Sequence, residues 1–314
     1  MRRVLALVLA VGMVVGAVYL RRSLRDDNSG RSDDGDSGST SLVYCSTELR
    51  EVCEAATLDG QPLEGRSVEI EDPGTTAARL SAQSSVRDVG WLVPSVWTAV
   101  VAANRQAAGL SVLPTESKPL AEARLVAVAR PDQARVLTAK CGKEWATSCV
   151  ADAAGQQWSS IGGQPAWGPV KIGLGPRTTT GWLLAVTSAV TGRTGRADFA
   201  TNDLDADDGF QSWFEQLTAV RPQRDPVGVL LTAPGTYGVA YDLRTAESIG
   251  LASQRGVTLT APQPPQTAQV VLVGGRDIDV APLSEILQQQ GWSAPAAAAQ
   301  PPNGGVLQHL IDTK

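Results

Sequence analysis

Short apolar runs and segments of helical period take turns along most of this chain, and that alternation limits the fold more than any other feature of the sequence. LVY at 42–44 leads into a segment whose apolar positions Leu49, Val52, Cys53 and Ala56 recur at i, i+3, i+4 and i+7, with Ser46 or Thr47 as the natural cap and Glu48 in the first turn. SVEIED at 67–72 is the next strand. GWLVPSVWTAVVAANR at 90–105 sets an apolar run, a Pro-Ser break and a helix through Trp97, Val100 and Val101. ARLVAVAR at 123–130 and PVKIGLG at 169–175 read as strands, and DDGFQSWFEQL at 207–217 as an acid-started amphipathic helix. VGVLLTAPGTYGVAYDL at 227–243 reads as strand, turn and then strand or helix. TAQVVLVGG at 267–275 is a strand, APLSEILQQQGW at 281–292 a helix, and SAPAAAAQPPNGG a surface segment.

Strands alternating with helices predict an α/β fold with largely parallel sheets, whose strands are buried on both faces and read as continuous apolar runs. With 314 residues, 43% of them hydrophobic, the chain forms one large bilobed unit or two modest domains. Its formal charge is −5, and because residues 1–40 hold six Arg against five Asp, the remainder is slightly more acidic than the whole. No basic face of the kind that binds nucleic acid follows from that balance.

Residues 1–25 place Arg2 and Arg3 before 17 uncharged residues, Val4 to Leu20, and Arg21, Arg22 and Arg25 after them. This reads as a signal-anchor or transmembrane segment, giving a single-pass cell-membrane protein with its bulk outside the cytoplasm; secretion after signal cleavage is the alternative. The Asp-, Ser- and Gly-rich residues 26–40 then form a flexible tether.

Cys45, Cys53, Cys141 and Cys149 form two pairs with the same separation of eight. Zinc sites want tight C-x-x-C pairs, and the one histidine, His309, sits in the tail, so local disulfides in an oxidising compartment fit better than a metal. Cys45–Cys53 is the less certain pair geometrically. If Cys53 lay two turns into a regular helix, the Cα atoms would exceed the roughly 7 Å that a disulfide spans.

A single terminal histidine, read as a solvated tail residue, leaves no catalytic triad to assemble. GLGPRT has Thr178 where a dinucleotide fingerprint needs its third glycine, and no GK[ST] follows. Asp203, Asp205, Asp207 and Asp208 lack the distal Glu of a calcium loop and read as solvated, helix-capping acids. What remains is hydroxyls at strand-to-helix junctions: Ser46-Thr47, Ser95 after Pro94, and Thr178-Thr179-Thr180 opening GLGPRTTTGWLLAVTSAV. One hydroxyl caps a helix; the others either serve the loop or face a ligand drawn to free N–H groups. Such residues suit binding without reaction, with no cofactor.

The stretches VYCSTEL, GWLVPSVW, ARLVAVARPD, KIGLGPRTTTGWLLAV, LLTAPGTYGVAYD and LSEILQQQGW, spread over most of residues 42–292, resemble the bacterial extracellular solute-binding proteins of ABC transport systems. That two-lobed periplasmic-binding-protein class is related to molybdate-binding proteins and to domains accompanying von Willebrand factor A modules. The resemblance implies two α/β lobes, each a mainly parallel sheet flanked by helices: lobe I from 41–126 plus 263–314 and lobe II from 127–262. Ser46, Thr47 and Ser95 would line one wall of the cleft, and Thr179, Thr180, Thr236 and Tyr237 the other. A small molecule or small anion would be the ligand, with an ABC permease or a von Willebrand factor A-type protein as partner. Trp91, Trp97 and Trp182 are stacking candidates or core residues. A second reading, a ligand-free envelope interaction domain on the same scaffold, stands beside it.

Overall fold

A computed structural model of the chain describes residues 42–86, 89–233, 235–243, 256–296 and 303–313. The signal-anchor at 1–25 and the tether at 26–40 lie outside them. Among the described residues, no helix is long and apolar enough to cross a membrane. The described elements fall within one compact unit, Thr40–Lys314.

Among the described residues, eight strands build one sheet: β1 (Leu42–Ser46), β2 (Ser67–Glu71), β3 (Gly90–Pro94), β4 (Ala121–Ala129), β5 (Ile172–Gly173), β6 (Val239–Leu243), β7 (Thr258–Thr260) and β8 (Thr267–Val273). Their order is β2-β1-β3-β8-β4-β6-β5, with β7 paired to β4 off that path. The α/β class read from the alternation stands, but the sheet is mixed. Strand β1 runs parallel to β2 and β3, and β5 parallel to β6, whereas β8 and β4 pair antiparallel with their neighbours. The return strand β8 enters from the opposite end, which no apolar pattern reveals.

Strand β4 joins two sets of pairings. Residues 121–124 pair with β8, and residues 125–129 with β6. Eight of its nine residues are buried, Arg124 excepted, as expected for a strand covered on both faces.

Eleven helices of the described residues surround the sheet: α1 (Arg50–Ala56), α2 (Pro73–Ala82), α3 (Ser95–Ala107), α4 (Pro131–Cys141), α5 (Thr147–Asp152), α6 (Thr180–Thr194), α7 (Thr201–Asp205), α8 (Phe210–Thr218), α9 (Pro226–Thr232), α10 (Val280–Gln289) and α11 (Gly304–Asp312). Helix α6 is buried from Thr180 through Thr191 and packs against β6, β4, β8, α5 and α11. It has no polar stripe because every face is covered; its buried hydroxyls at Thr187 and Ser188 bond to main-chain carbonyls, and each buried Leu or Val along it contributes roughly 1.5–3 kcal/mol.

Two sequence readings change. The run at 227–231, read as a strand, is helix α9: Asp225 accepts the Gly228 N–H and Pro226 opens the first turn, a start signal that outweighs β-branched content. The reading of His309 as a solvated tail residue changes as well. Asn303 caps α11, which buries Val306, Leu307 and Leu310, and His309 is a half-buried residue of that helix, 3.9 Å from Asp205. Gly304 permits this packing, since a Cβ there would stand 1.9 Å from the Ala99 carbonyl oxygen.

Both cysteine pairs are disulfides. Cys45–Cys53 has a Cα separation of 6.6 Å and Cys141–Cys149 one of 5.5 Å. The first is within reach because a 3₁₀ turn at Thr47–Leu49 precedes α1, leaving Cys53 one turn into the helix.

Candidate functional site

All three threonines before α6 are engaged by the protein. Thr178 Oγ1 donates to Asp72 Oδ2 at 2.9 Å, and its carbonyl accepts the Gly74 N–H at 2.9 Å. Thr179 is the N-cap: its hydroxyl accepts from Trp182 N and donates to the Pro176 carbonyl. Thr180 is fully buried; its hydroxyl accepts from Trp97 Nε1 at 3.0 Å, and its N–H donates to Glu48 Oε1 at 2.8 Å. A helix N-terminus offers N–H groups and a positive dipole end to an anion. Here a carboxylate from 132 residues earlier in the chain takes that place.

Asp72 gathers the other donors. Thr47 Oγ1 and Arg224 Nη1 both donate to its Oδ1, at 3.0 and 2.8 Å, and its carbonyl accepts the Thr75 and Thr76 N–H groups of α2. The approach of α2 to the threonines is close enough to require Gly74, where a Cβ would sit 2.7 Å from Thr178 Cα.

Beside this cluster lies a cavity of about 450 Å³. The turn after β1 and the start of α1 contribute Thr47, Glu48, Arg50, Glu51 and Val52; Asp72 precedes α2, and Gln290 and Trp292 follow α10. The facing wall comes from Gly175, Thr179, Gly181 and Trp182, from Arg224 to Val227 at the start of α9, and from Tyr241 to Leu243 in β6. Five carboxylates and two guanidiniums thus line it.

Glu48 is perturbed by its surroundings. Burial pushes its carboxyl above the ordinary glutamate range, while the hydrogen bond from the Thr180 N–H pulls the other way. Its Oε2 is buried without a hydrogen-bond partner. Burial likewise raises the Tyr241 phenol.

Of the seven sequence-derived ligand residues, Thr47 and Thr179 line the cavity. Ser46 is buried with its hydroxyl 3.4 Å from the Leu92 carbonyl. Ser95 begins α3, where its carbonyl accepts Thr98 Oγ1. Thr236 sits in the turn before β6, and Tyr237 is buried with its hydroxyl donating to the Arg221 carbonyl. Trp91 and Trp97 are core residues, whereas Trp182 is core on most of its surface and cavity wall on the rest. Asp203 caps α7 through the Ala200 N–H, and Asp207 pairs with Arg193.

The acids Glu51, Asp72, Asp225 and Asp242 were not singled out from the sequence. Asp72-Pro73 and Asp225-Pro226 carry a shared signal, an N-cap acid before an N1 proline, yet that grammar says only that helices begin there.

No known family model matches this sequence, and no curated protein matches it. Solved structures resemble it at low sequence identity. The apo ferric ion-binding protein A of Pasteurella haemolytica is 10% identical with a TM-score of 0.48, over 87% of this chain and 97% of its own. A putative spermidine/putrescine ABC transporter from Listeria monocytogenes is 9% identical, TM-score 0.48, over 82% and 83%. The sulfate-binding protein SubI from Mycobacterium tuberculosis H37Rv is 9% identical, TM-score 0.45, over 86% and 90%.

Proposed function

We propose that this chain is an extracytoplasmic, membrane-tethered solute-binding protein that holds a small ligand between two lobes and delivers it to an ABC-type permease. The observation that carries the reading is the 450 Å³ cavity. If residues 41–126 plus 263–314 form one lobe and 127–262 the other, its walls divide cleanly: Thr47 to Val52, Asp72, Gln290 and Trp292 belong to the first, and Gly175 to Leu243 to the second. A cavity of this size with convergent polar groups suits a small molecule. The two disulfides fit an oxidising compartment outside the cytoplasm, and the charge-free run Val4 to Leu20 would supply the membrane anchor, with residues 26–40 as the tether.

The reading as a ligand-free interaction domain has its own support. Glu48–Thr180, Asp72–Thr178, Asp72–Arg224 and Trp97–Thr180 all cross between the proposed lobes, so the walls are tied together by the protein alone. A von Willebrand factor A-type partner would belong to that reading.

Thermal melting against a panel of amines, sugars, amino acids and oxyanions separates the two. A ligand that binds only the folded state raises stability by about 2.7 kcal/mol at one hundred times its Kd. A rise with one chemical class supports the binder. A flat response to all of them supports the interaction domain.

A further inference from the structure

We propose that helix α11 is a strap between the two lobes, fixed on lobe I and caught on lobe II by Arg177, and that release of this catch lets the lobes part. This rests on the division into lobes drawn above and needs no ligand.

The fixed side leaves little room to move. Helix α11 packs against α3 of lobe I and against α6 and α7 of lobe II. At Gly304 a Cβ would stand 1.9 Å from the Ala99 carbonyl oxygen and 3.0 Å from the Val100 nitrogen. Asn104 of α3 donates through Nδ2 to Gln308 Oε1 at 2.8 Å, and Leu307 and Leu310 are fully buried. So short a helix does not hold together in water by itself, and α11 keeps its shape through this packing.

The lobe II side is built differently. Arg177 Nη1 donates to the Ile311 carbonyl at 3.0 Å and to the Thr313 carbonyl, at the helix end where main-chain acceptors are left over and a cation is favoured. The guanidinium is seated on lobe II, 5.6 Å from the Trp182 ring centroid and 5.9 Å from that of Phe214. Beside this contact a cavity of about 480 Å³ separates the end of α11 from α7 and α8, with Leu204, Asp205, Phe210, His309 and Thr313 on its walls. This seam is polar and reached by water, whereas the seam on α3 is close-packed. The lobe II contact therefore yields first.

The place of Arg177 in the chain gives the catch its consequence. Thr178 and Thr180 follow it and carry the contacts to Gly74, Asp72, Trp97 and Glu48 of lobe I. Gly175, Thr179 and Gly181 of the same stretch belong to the wall of the first cavity. One short segment thus holds the strap, the junction between the lobes and part of that wall. With the strap caught, the lobes are held at two places; with it released they can turn about the junction and the crossing strands, as in hinge opening.

Double electron–electron resonance on the purified full-length protein tests this, with spin labels on non-natural residues at Leu58 and Gln216. Both positions are exposed, Leu58 in lobe I and Gln216 on α8 in lobe II. Without any ligand, wild type gives a single distance. Arg177→Ala adds a longer one in on the order of a tenth of the molecules or more. Arg177→Lys is the milder variant should alanine fail to fold; it keeps the charge, loses the forked donor geometry and falls between the two.

An unchanged single distance in every variant that folds makes Arg177 a local helix cap and overturns the strap. Two distances in wild type overturn it as well, because the catch would then not hold. Neither result touches the solute-binding reading, which stands or falls by the melting panel, and a flat panel leaves the strap standing.

Discussion

The main-chain N–H of Thr180 donates to Glu48 Oε1 at 2.8 Å, so the first turn of the buried helix α6 is completed by a side chain from 132 residues earlier in the chain. Glu48 therefore satisfies an orphan helix donor and, at the same time, places a carboxylate at the cavity wall.

The pH dependence of stability follows from its burial. The unfolded chain releases the Glu48 proton near the ordinary glutamate value, about 4.3, and the folded chain releases it at higher pH. Between those values the fold holds the extra proton, so the Glu48 contribution to stability falls as pH rises through that window. Glu48→Gln keeps an oxygen for the Thr180 N–H and removes the titration. Urea denaturation from pH 4 to pH 7 should show a fall in wild type that is shallower in the variant.

The two threonines separate capping from packing. Thr180→Val leaves the Trp97 indole N–H buried without an acceptor and should cost about 1–3 kcal/mol. Thr179→Val removes a long, 3.5 Å cap to Trp182 N and should cost about 1 kcal/mol or less. Thermal melting of the single variants checks the order; a larger loss for Thr179→Val would contradict it.

Gly74→Ala forces a methyl group against Thr178 Cα and Trp97 Cη2, at 2.7 and 2.8 Å. Backbone cannot yield as a flexible side chain does, so a loss of about 1–3 kcal/mol is expected. Crystallography of the variant should show the threonine segment displaced from α2.

The disulfides close loops of equal length, each worth about 2–3 kcal/mol in the chain-entropy account. They differ in access: Cys45 and Cys53 are fully buried, whereas Cys149 is partly exposed. Mild reductant should open Cys141–Cys149 first, as peptide mapping after alkylation will show.

Local grammar was legible in the sequence and long-range pairing was not. The apolar runs found β1, β3, β4 and β8, and the threonine cluster found the start of α6. The α9 segment misled because Val227, Val229, Leu230 and Leu231 read as strand until the Asp225-Pro226 start is weighed. Thr47 and Thr179, named among the surplus hydroxyls, do line the cavity, but Thr179 is itself the cap of α6 and Thr47 donates to Asp72. Asp72 and Arg224 were not reached, because 152 residues separate them and each looks like an ordinary loop charge until β4 brings the two sides together.

That the cavity holds a small molecule is tested most directly by native mass spectrometry of the full-length protein, wild type beside Gly181→Ala and Gly181→Phe. Gly181 lines the cavity, and a Cβ there meets only ordinary contacts with Asp242, at 3.6 Å or more. Alanine is therefore tolerated, while a phenyl ring extends into the space. The expected result is a non-covalent mass on wild type and Gly181→Ala that disappears on denaturation and is missing from a folded Gly181→Phe. A protein of bare polypeptide mass in all three, or a mass that persists in Gly181→Phe, would contradict it.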